Sequence, residues 1–393
     1  MRISLASILA LACLASSTMA CGHSDHAKHG NSTDGHSGHG HHHSGHGHGH
    51  HHSGHSHHHP KDGTSTGSHS GHGGHSGHGT STGGHSKTGT GKAFDHILQV
   101  WFENEDFALI DSLPQFKSLE SEGITLTNFN ALTHPSEPNY VAAGGGSTFG
   151  LTNDDYYRIP ANISTIYDLL EAKGLTWRLY QEDLPYTGFT GYKYENKDGT
   201  YMRKHNPAVS FDSVALNKTR LQNIVNAKEL EKDIESGNLP NWMFYTPNMN
   251  NDGHDTNATY AGNWLQKFYK STLNNPKLLE NTLVLLTWDE NKTYPIRNHI
   301  WSLLLGKVPE KLKGTRDDTF YTHYSTLSTV EYNWDLGTLG RGDANKTLAN
   351  VFNFLAPALN YTNVHVPVSE IEFMNNTITG FMTGKSLNET QQA

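Results

Sequence analysis

From residue 94 onward, short apolar runs alternate with amphipathic stretches. "HILQVWF" (96–102) is a strand-length apolar run that ends abruptly at the polar "ENEDF". "LIDSLPQFKSLESEG" (109–123) suits a helix, with Pro114 limiting its start, and "ITLTNFNAL" (124–132) alternates as a strand does. "STIYDLLEAKG" (164–174) predicts a helix with a glycine stop, and "LTWRLYQ" (175–181) the strand after it. "NWMFYTPN" (241–248) predicts a strand, "GNWLQKFYKSTLNN" (262–275) an amphipathic helix, and "NTLVLLTWDEN" (281–291) a buried strand ending in acids. "HIWSLLLG" (299–306) predicts another strand and "YSTLSTVEYNWDLG" (324–337) another helix. Strands alternating with helices imply an α/β layer built on a mostly parallel sheet.

The first 92 residues have another texture. Residues 1–20 carry an early Arg, an apolar run from Ile8 to Leu14 and small residues up to Ala20, the pattern of a secretory signal peptide. That run is too short to span a bilayer, and no other segment reaches spanning length. A lipoprotein site at Cys21 has a poor lead-in in Thr18-Met19-Ala20. Residues 21–92 are His, Gly, Ser and Thr with almost no apolar side chains, and hold 22 of the 29 histidines. Such a tract is expected to be disordered. Its imidazoles suit metal ions, and as a polycation in acid it suits anionic cell-wall polymers; a plain spacer is the third reading. Residues 93–370 are long enough for one large core, and 371–393 read as a polar tail.

Charge and cysteine narrow the partners. A net charge of −9 argues against nucleic acid and against nonspecific adhesion to anionic membranes. With Cys13 in the leader and Cys21 beside its end, the body has no cysteine, so it relies on core size and not on disulfides. Asn-x-Ser/Thr sequons begin at Asn31, Asn162, Asn217, Asn257, Asn291, Asn345, Asn360, Asn375 and Asn388, which fits an exported glycoprotein.

Ligands of open α/β sheets sit beyond the carboxyl ends of the strands. Polar clusters fall there repeatedly: Glu103-Asn104, Thr133 to Asn139, Asn248 to Asp255 and Asp289 to Asn291. Ser136 in "THPSEPNY" fits a helix cap with Pro138 in the first turn, and it also fits a nucleophile at a helix N-terminus, where a phosphate would bind. A free Ser needs a metal or a base for that role. Asp289 and Glu290 at a strand end repel one another unless a cation sits between them, and Glu103 with Asn104 would complete an oxygen-rich shell; caps and surface salt bridges are the plainer reading. "NMNNDGHDT" (248–256), with Asn250, Asp252 and His254, is either a turn or a phosphate contact. His254 and His323 are two of the histidines outside the tract that suit a donor role.

Taken in order, "WFENEDF", "THPSEPNY", "NMNNDGHD", "TWDEN" and "THYS" resemble the phosphoesterase family of fungal secreted acid phosphatases and bacterial phospholipase C enzymes. The resemblance spans roughly Phe94 to Leu355. It implies a three-layer α/β/α alkaline-phosphatase-like core with a mostly parallel sheet. It implies Ser136 as a metal-supported nucleophile, with His254 and His323 catalytic, and Asn139, Asn250 and Asp252 against substrate. Glu103, Asn104, Asp289 and Glu290 would hold one divalent metal ion. The expected activity is a secreted acid phosphatase acting on phosphorylated small molecules for phosphate scavenging, through a phosphoserine. A phosphodiesterase or phospholipase C, and a non-catalytic His-rich metal-binding wall protein, are the alternatives. The His-rich tract is foreign to the family pattern, and a glycan on Asn291 would crowd the site.

Overall fold

The computed structural model describes residues 89–372, 374 and 378–388. The signal peptide and nearly all of the His-rich tract lie outside these residues, and so do the sequons at Asn31 and Asn375. One nine-stranded sheet organises the body. Its strands are β1 His96–Phe102, β2 Ile124–Asn130, β3 Trp177–Gln181, β6 Ile224–Asn226, β7 Trp242–Thr246, β8 Thr282–Trp288, β9 His299–Gly306, β10 Thr315–Asp317 and β11 Tyr321–Thr322. A separate hairpin joins β4 Lys193–Glu195 to β5 Thr200–Met202. The sheet order is β10-β2-β9-β8-β1-β7-β3-β6, with β11 also pairing β2. All pairings are parallel except those of β9, which runs antiparallel to both β2 and β8.

Consecutive residues of β1 show why the sheet is covered on both faces. Trp101 meets Tyr140 at 5.1 Å and His323 at 4.2 Å, so it faces helices Ser136–Gly145 and His323–Trp334. Phe102 points the other way, to Phe116 at 6.2 Å and Trp264 at 5.8 Å, on helices Pro114–Glu120 and Ala258–Phe268. A strand with helices on both faces buries every position. β8 is buried throughout, which is why its sequence reads as an unbroken apolar run. Each fully buried Leu or Ile contributes about 1.5–3 kcal/mol over leaving it exposed.

The expected helix over 109–123 is two, Phe107–Ser112 and Pro114–Glu120. Pro114 starts the second because its ring leaves no room for the preceding turn to continue. Two segments flanking the sheet add to the body. Asn241 Nδ2 donates to the Gly89 carbonyl at 2.8 Å. Residues 378–388, within the stretch read as a polar tail, return to the body. Met382 is buried with Val141, Phe149 and Phe211, and the Leu387 N–H donates to the Tyr156 carbonyl at 2.7 Å. Among the described residues no helix is long and apolar enough to cross a membrane.

Candidate active site

Ser136 is the first residue of helix Ser136–Gly145, and Pro135 stands before it at the cap position. The seryl oxygen therefore does not cap its own helix. It is buried and donates to Glu103 Oε2 at 3.0 Å and to Glu290 Oε1 at 3.3 Å. Asp154 Oδ1 accepts from the Glu137 N–H at 2.9 Å, one of the free N–H groups of the helix's first turn. At the far end Gly146 takes the left-handed conformation (φ 68°) and returns its N–H to the Ala142 carbonyl, a glycine stop. Acids that arrive from β1 and β8 thus meet a hydroxyl that arrives from a helix after β2.

The backbone around the acids is tightly specified. Asn104 has φ 51°, a conformation few residues other than Gly adopt, and its N–H donates to Asp289 Oδ1 at 3.1 Å. The Asp289 N–H reaches the Phe102 carbonyl at 2.9 Å, so the ends of β1 and β8 stay in register. Glu103, Asp289 and Glu290 are all buried. Burial, and then the Glu103 and Glu290 charges, push the Asp289 carboxyl well above its ordinary value; burial and Glu103 do the same to Glu290. Burial also works against Glu103 as an anion, but His205 and Lys204 overcome it and hold Glu103 below the usual carboxylate range.

His205 and Lys204 come from a single 3₁₀ turn, Arg203–His205. His205 Nε2 lies 2.5 Å from Glu103 Oε1, and its Nδ1 lies 3.5 Å from Asp252 Oδ2. The ring is sandwiched between two carboxylates and stacks on Tyr140 at 5.0 Å. Lys204 Nζ sits 3.0 Å from Asp154 Oδ2 and 3.5 Å from His254 Nε2. Arg203, buried beside them, anchors the turn by donating to the Thr190, Tyr157 and Val209 carbonyls. His134 pairs with Glu290 through Nδ1, and burial pulls its pKa down to about 4. A buried hydroxyl, the carboxylates of Glu103, Asp154, Asp252, Asp289 and Glu290, and a lysine in one cluster of charge suit transfer of an anionic group to serine.

The model of the Phosphoesterase family matches residues 110–337. The chain belongs to that family. Relatives include an acid phosphatase of Aspergillus fumigatus, 48% identical over 75% of this chain and 66% of that protein. A probable acid phosphatase of Kluyveromyces lactis is 48% identical over 74% of this chain and 69% of that one. The match thus spans about two thirds of these relatives' own length. Among solved structures, a Vibrio parahaemolyticus protein of the alkaline phosphatase superfamily is 14% identical, with a TM-score of 0.43 over 66% of this chain and 71% of that one.

The acids of this phosphoesterase fit a hard divalent cation in chemistry. Asp289 Oδ2 and Asn104 Oδ1 are buried oxygens without a hydrogen-bond partner, beside two further carboxylates that repel Asp289. Among the described residues, however, no group of three or more His, Cys, Asp or Glu side chains is arranged so as to hold a metal ion.

Other residues expected in the site stand elsewhere. Asn139 accepts from the Leu132 and Thr133 N–H groups and donates to the Thr133 and Pro135 carbonyls. Its four hydrogen bonds clamp the loop before Ser136 and leave none for substrate. Asn250 donates to the Asp198 carbonyl at 3.2 Å, at the hairpin side. Asp252 is buried behind His205, and burial raises its carboxyl to about 6. His323 lies behind the acids: Nε2 sits 2.6 Å from the Asp289 carbonyl, its ring stacks on Trp101, and burial lowers its pKa to about 4. His254 borders the cluster from the exposed side, with its N–H on Asp252 Oδ1 at 2.8 Å. Lys204, His205, His134 and Asp154 went unnoticed in the sequence. One signal was available: His134 and His205 belong to the few histidines outside the tract.

Proposed function

We propose that this chain is an acid phosphatase that passes the phosphoryl group of a phosphomonoester to Ser136 and then to water. As a member of its family it is a hydrolase of phosphoric esters; the name carried by its fungal relatives supports the narrower activity. The observation that carries the reading is the Ser136 hydroxyl aimed at two buried carboxylates beside Lys204.

As the seryl oxygen bonds phosphorus, the phosphorus–alcohol oxygen bond breaks. The hydroxyl proton leaves to the Glu103–Glu290 carboxyl pair that already accepts its hydrogen bonds. Lys204 offers charge to the phosphoryl oxygens, and His254, on the exposed side, gives a proton to the departing oxygen. Water then attacks the phosphoserine in the reverse sense and releases inorganic phosphate. One divalent cation, held by Glu103, Asn104, Asp289 and Glu290, would supply further positive charge to the phosphoryl oxygens when bound. In this reading His323 positions Asp289 from behind. Export belongs to the same reading and is supported by the exposed sequons at Asn162, Asn217, Asn257, Asn345 and Asn360; phosphate scavenging is the role we propose for it.

Ser136→Ala tests the route. It should fold as the parent does and lose turnover to background, and acid-quenched parent should carry phosphate on the Ser136 peptide by mass spectrometry. Undiminished turnover in the variant would remove Ser136 as nucleophile.

A further inference from the structure

The hydrolytic groups gather at the ends of β1 and β8. Further along the same rim lies a cavity of about 460 Å³, beyond the carboxyl ends of β7, β3 and β6, three neighbouring parallel strands. Ligands of open α/β sheets bind in that position. The volume lies within the range of small-molecule sites. None of the groups assigned to hydrolysis lines it.

One side of the cavity is aromatic. Tyr245, Trp264 and Phe268 line it, with the Phe268 ring centred 4.6 Å from Tyr245 and 4.8 Å from Trp264. Trp264 is half-buried, and an edge-on contact with Phe102 at 5.8 Å anchors it to the core. The polar groups around the rings are held in place before any ligand arrives. Glu182 accepts from the Tyr245 hydroxyl at 3.1 Å, the Asn248 N–H at 2.9 Å and Asn251 Nδ2 at 2.7 Å. Its two oxygens are thus spent on the wall. Asn248 Nδ2 donates to Asp183 Oδ2 at 2.7 Å, and the Thr272 hydroxyl donates to Glu231 Oε1 at 3.0 Å. A site whose groups are already ordered binds without a further ordering cost.

Charge then selects the ligand. Apart from Glu182, the carboxylates of Asp183, Asp198 and Glu231 share the cavity with the ammonium groups of Lys228 and Lys267. The two signs nearly cancel, so neither an anion nor a cation gains much by entering. A bare metal ion finds no group of three or more ligands arranged for it among the described residues. An uncharged polyol gains from both signs, because each hydroxyl donates to a carboxylate or accepts from an ammonium group. The C–H face of a sugar ring also covers the aromatic wall, which water leaves unsatisfied. We infer that this cavity binds a neutral monosaccharide, with its ring face against Trp264 and its hydroxyls on groups that include Asp198 and Lys267. The inference stands apart from the phosphatase reading, since binding is measured without turnover.

Saturation-transfer NMR on the full chain tests it, with D-glucose, D-mannose and N-acetyl-D-glucosamine as probes. At least one sugar should show saturable transfer, strongest at its ring C–H protons. Trp264→Leu keeps an apolar side chain against Phe102 and removes the ring; it should raise Kd by about fivefold, the scale of one lost aromatic contact. Asp198 and Lys267 are both exposed, so removing their side chains leaves the core untouched. The double variant Asp198→Ala with Lys267→Ala should raise Kd by about tenfold, the scale of two lost hydrogen bonds. This double variant decides the matter even if Trp264→Leu fails to fold. No saturable transfer from any of the three sugars overturns the site. An unchanged Kd in the double variant puts the sugar elsewhere and overturns it as well. Displacement of the bound sugar by L-lysine at a lower concentration than by a competing sugar would make the ligand charged, and also overturns it.

Discussion

Gly144 lies so close to Pro207 that a Cβ built on it would stand 2.7 Å from the Pro207 carbonyl oxygen. The contact brings the turn carrying Lys204 and His205 against the helix carrying Ser136. Two effects oppose each other in Gly144→Ala. Helix propensity favours Ala by up to about 1 kcal/mol, while overpacking against backbone costs about 1–3 kcal/mol. The clash is with a carbonyl and not with a flexible side-chain end, so it should win. Chemical denaturation should show net destabilisation, and turnover should fall because Lys204 and His205 move away from the acids. A variant as stable and active as the parent would mean that the turn does not depend on this approach.

In the proposed reaction Lys204 is the cation through which an acid-rich centre would tolerate an anionic substrate. Its side chain is only 7% exposed. Burial lowers the ammonium pKa, but Glu103 and Asp154 outweigh that and raise it above its ordinary value. Lys204→Met should reduce kcat/KM by about 100-fold, the scale of removing one preorganised charge from a transition state. Inorganic phosphate should also inhibit the variant more weakly. Loss of turnover with phosphate inhibition unchanged would place Lys204 outside the phosphoryl site.

The contrast between Ser136 and Lys204 shows where sequence reasoning stops. The main strands and the acids at their ends were legible because burial on both faces leaves unbroken apolar runs, and the polar residue after such a run marks the strand end. Glu103, Asp289 and Glu290 follow from that rule, and Ser136 from its place at the start of a helix. β9 was legible as a strand, but its antiparallel direction was not, since a strand buried on both faces reads the same either way. Lys204 and His205 sit in residues 182–223, a stretch of hairpin and short turns without periodicity. Their place depends on the contact of Gly144 with Pro207, a tertiary fact with no local trace. Asn139 failed in the opposite sense: an amide beside a nucleophile looks like a ligand contact until its four partners are known.

Glu331 gives the fold a pH dependence of its own. It lies on helix His323–Trp334, beside Asp343, whose carboxylate accepts from the Leu339, Gly340 and Arg341 N–H groups. Burial, then the Asp343 charge, raises the Glu331 carboxyl from 4.5 to about 9. The folded chain therefore keeps a proton that the unfolded chain has released. Stability from this group is full below about pH 4.5 and is lost as the pH rises towards 9. Glu331→Gln stays neutral throughout. Urea unfolding across that range should show the parent losing stability relative to the variant as pH increases. Parallel curves would mean that Glu331 ionises in the folded chain much as it does in the unfolded one.

Asn291 opens a sequon, yet its side chain is part of the scaffold of the site. It is buried, and its Nδ2 donates to Asp106 Oδ1 at 3.1 Å and to the Thr293 carbonyl at 2.9 Å. A glycan replaces one of those two hydrogens and has no room beside them. Attachment would have to precede folding and would then break the Asp106 contacts that order residues 291–293. Glycopeptide mass spectrometry of protein from a glycosylating host should find Asn291 unoccupied, while the exposed Asn162 and Asn345 remain open to modification. Asn291→Gln should lower activity through the displaced loop, which separates a structural asparagine from a glycan site. Substantial occupancy of Asn291 in active protein would show that the loop can be held without these two hydrogen bonds.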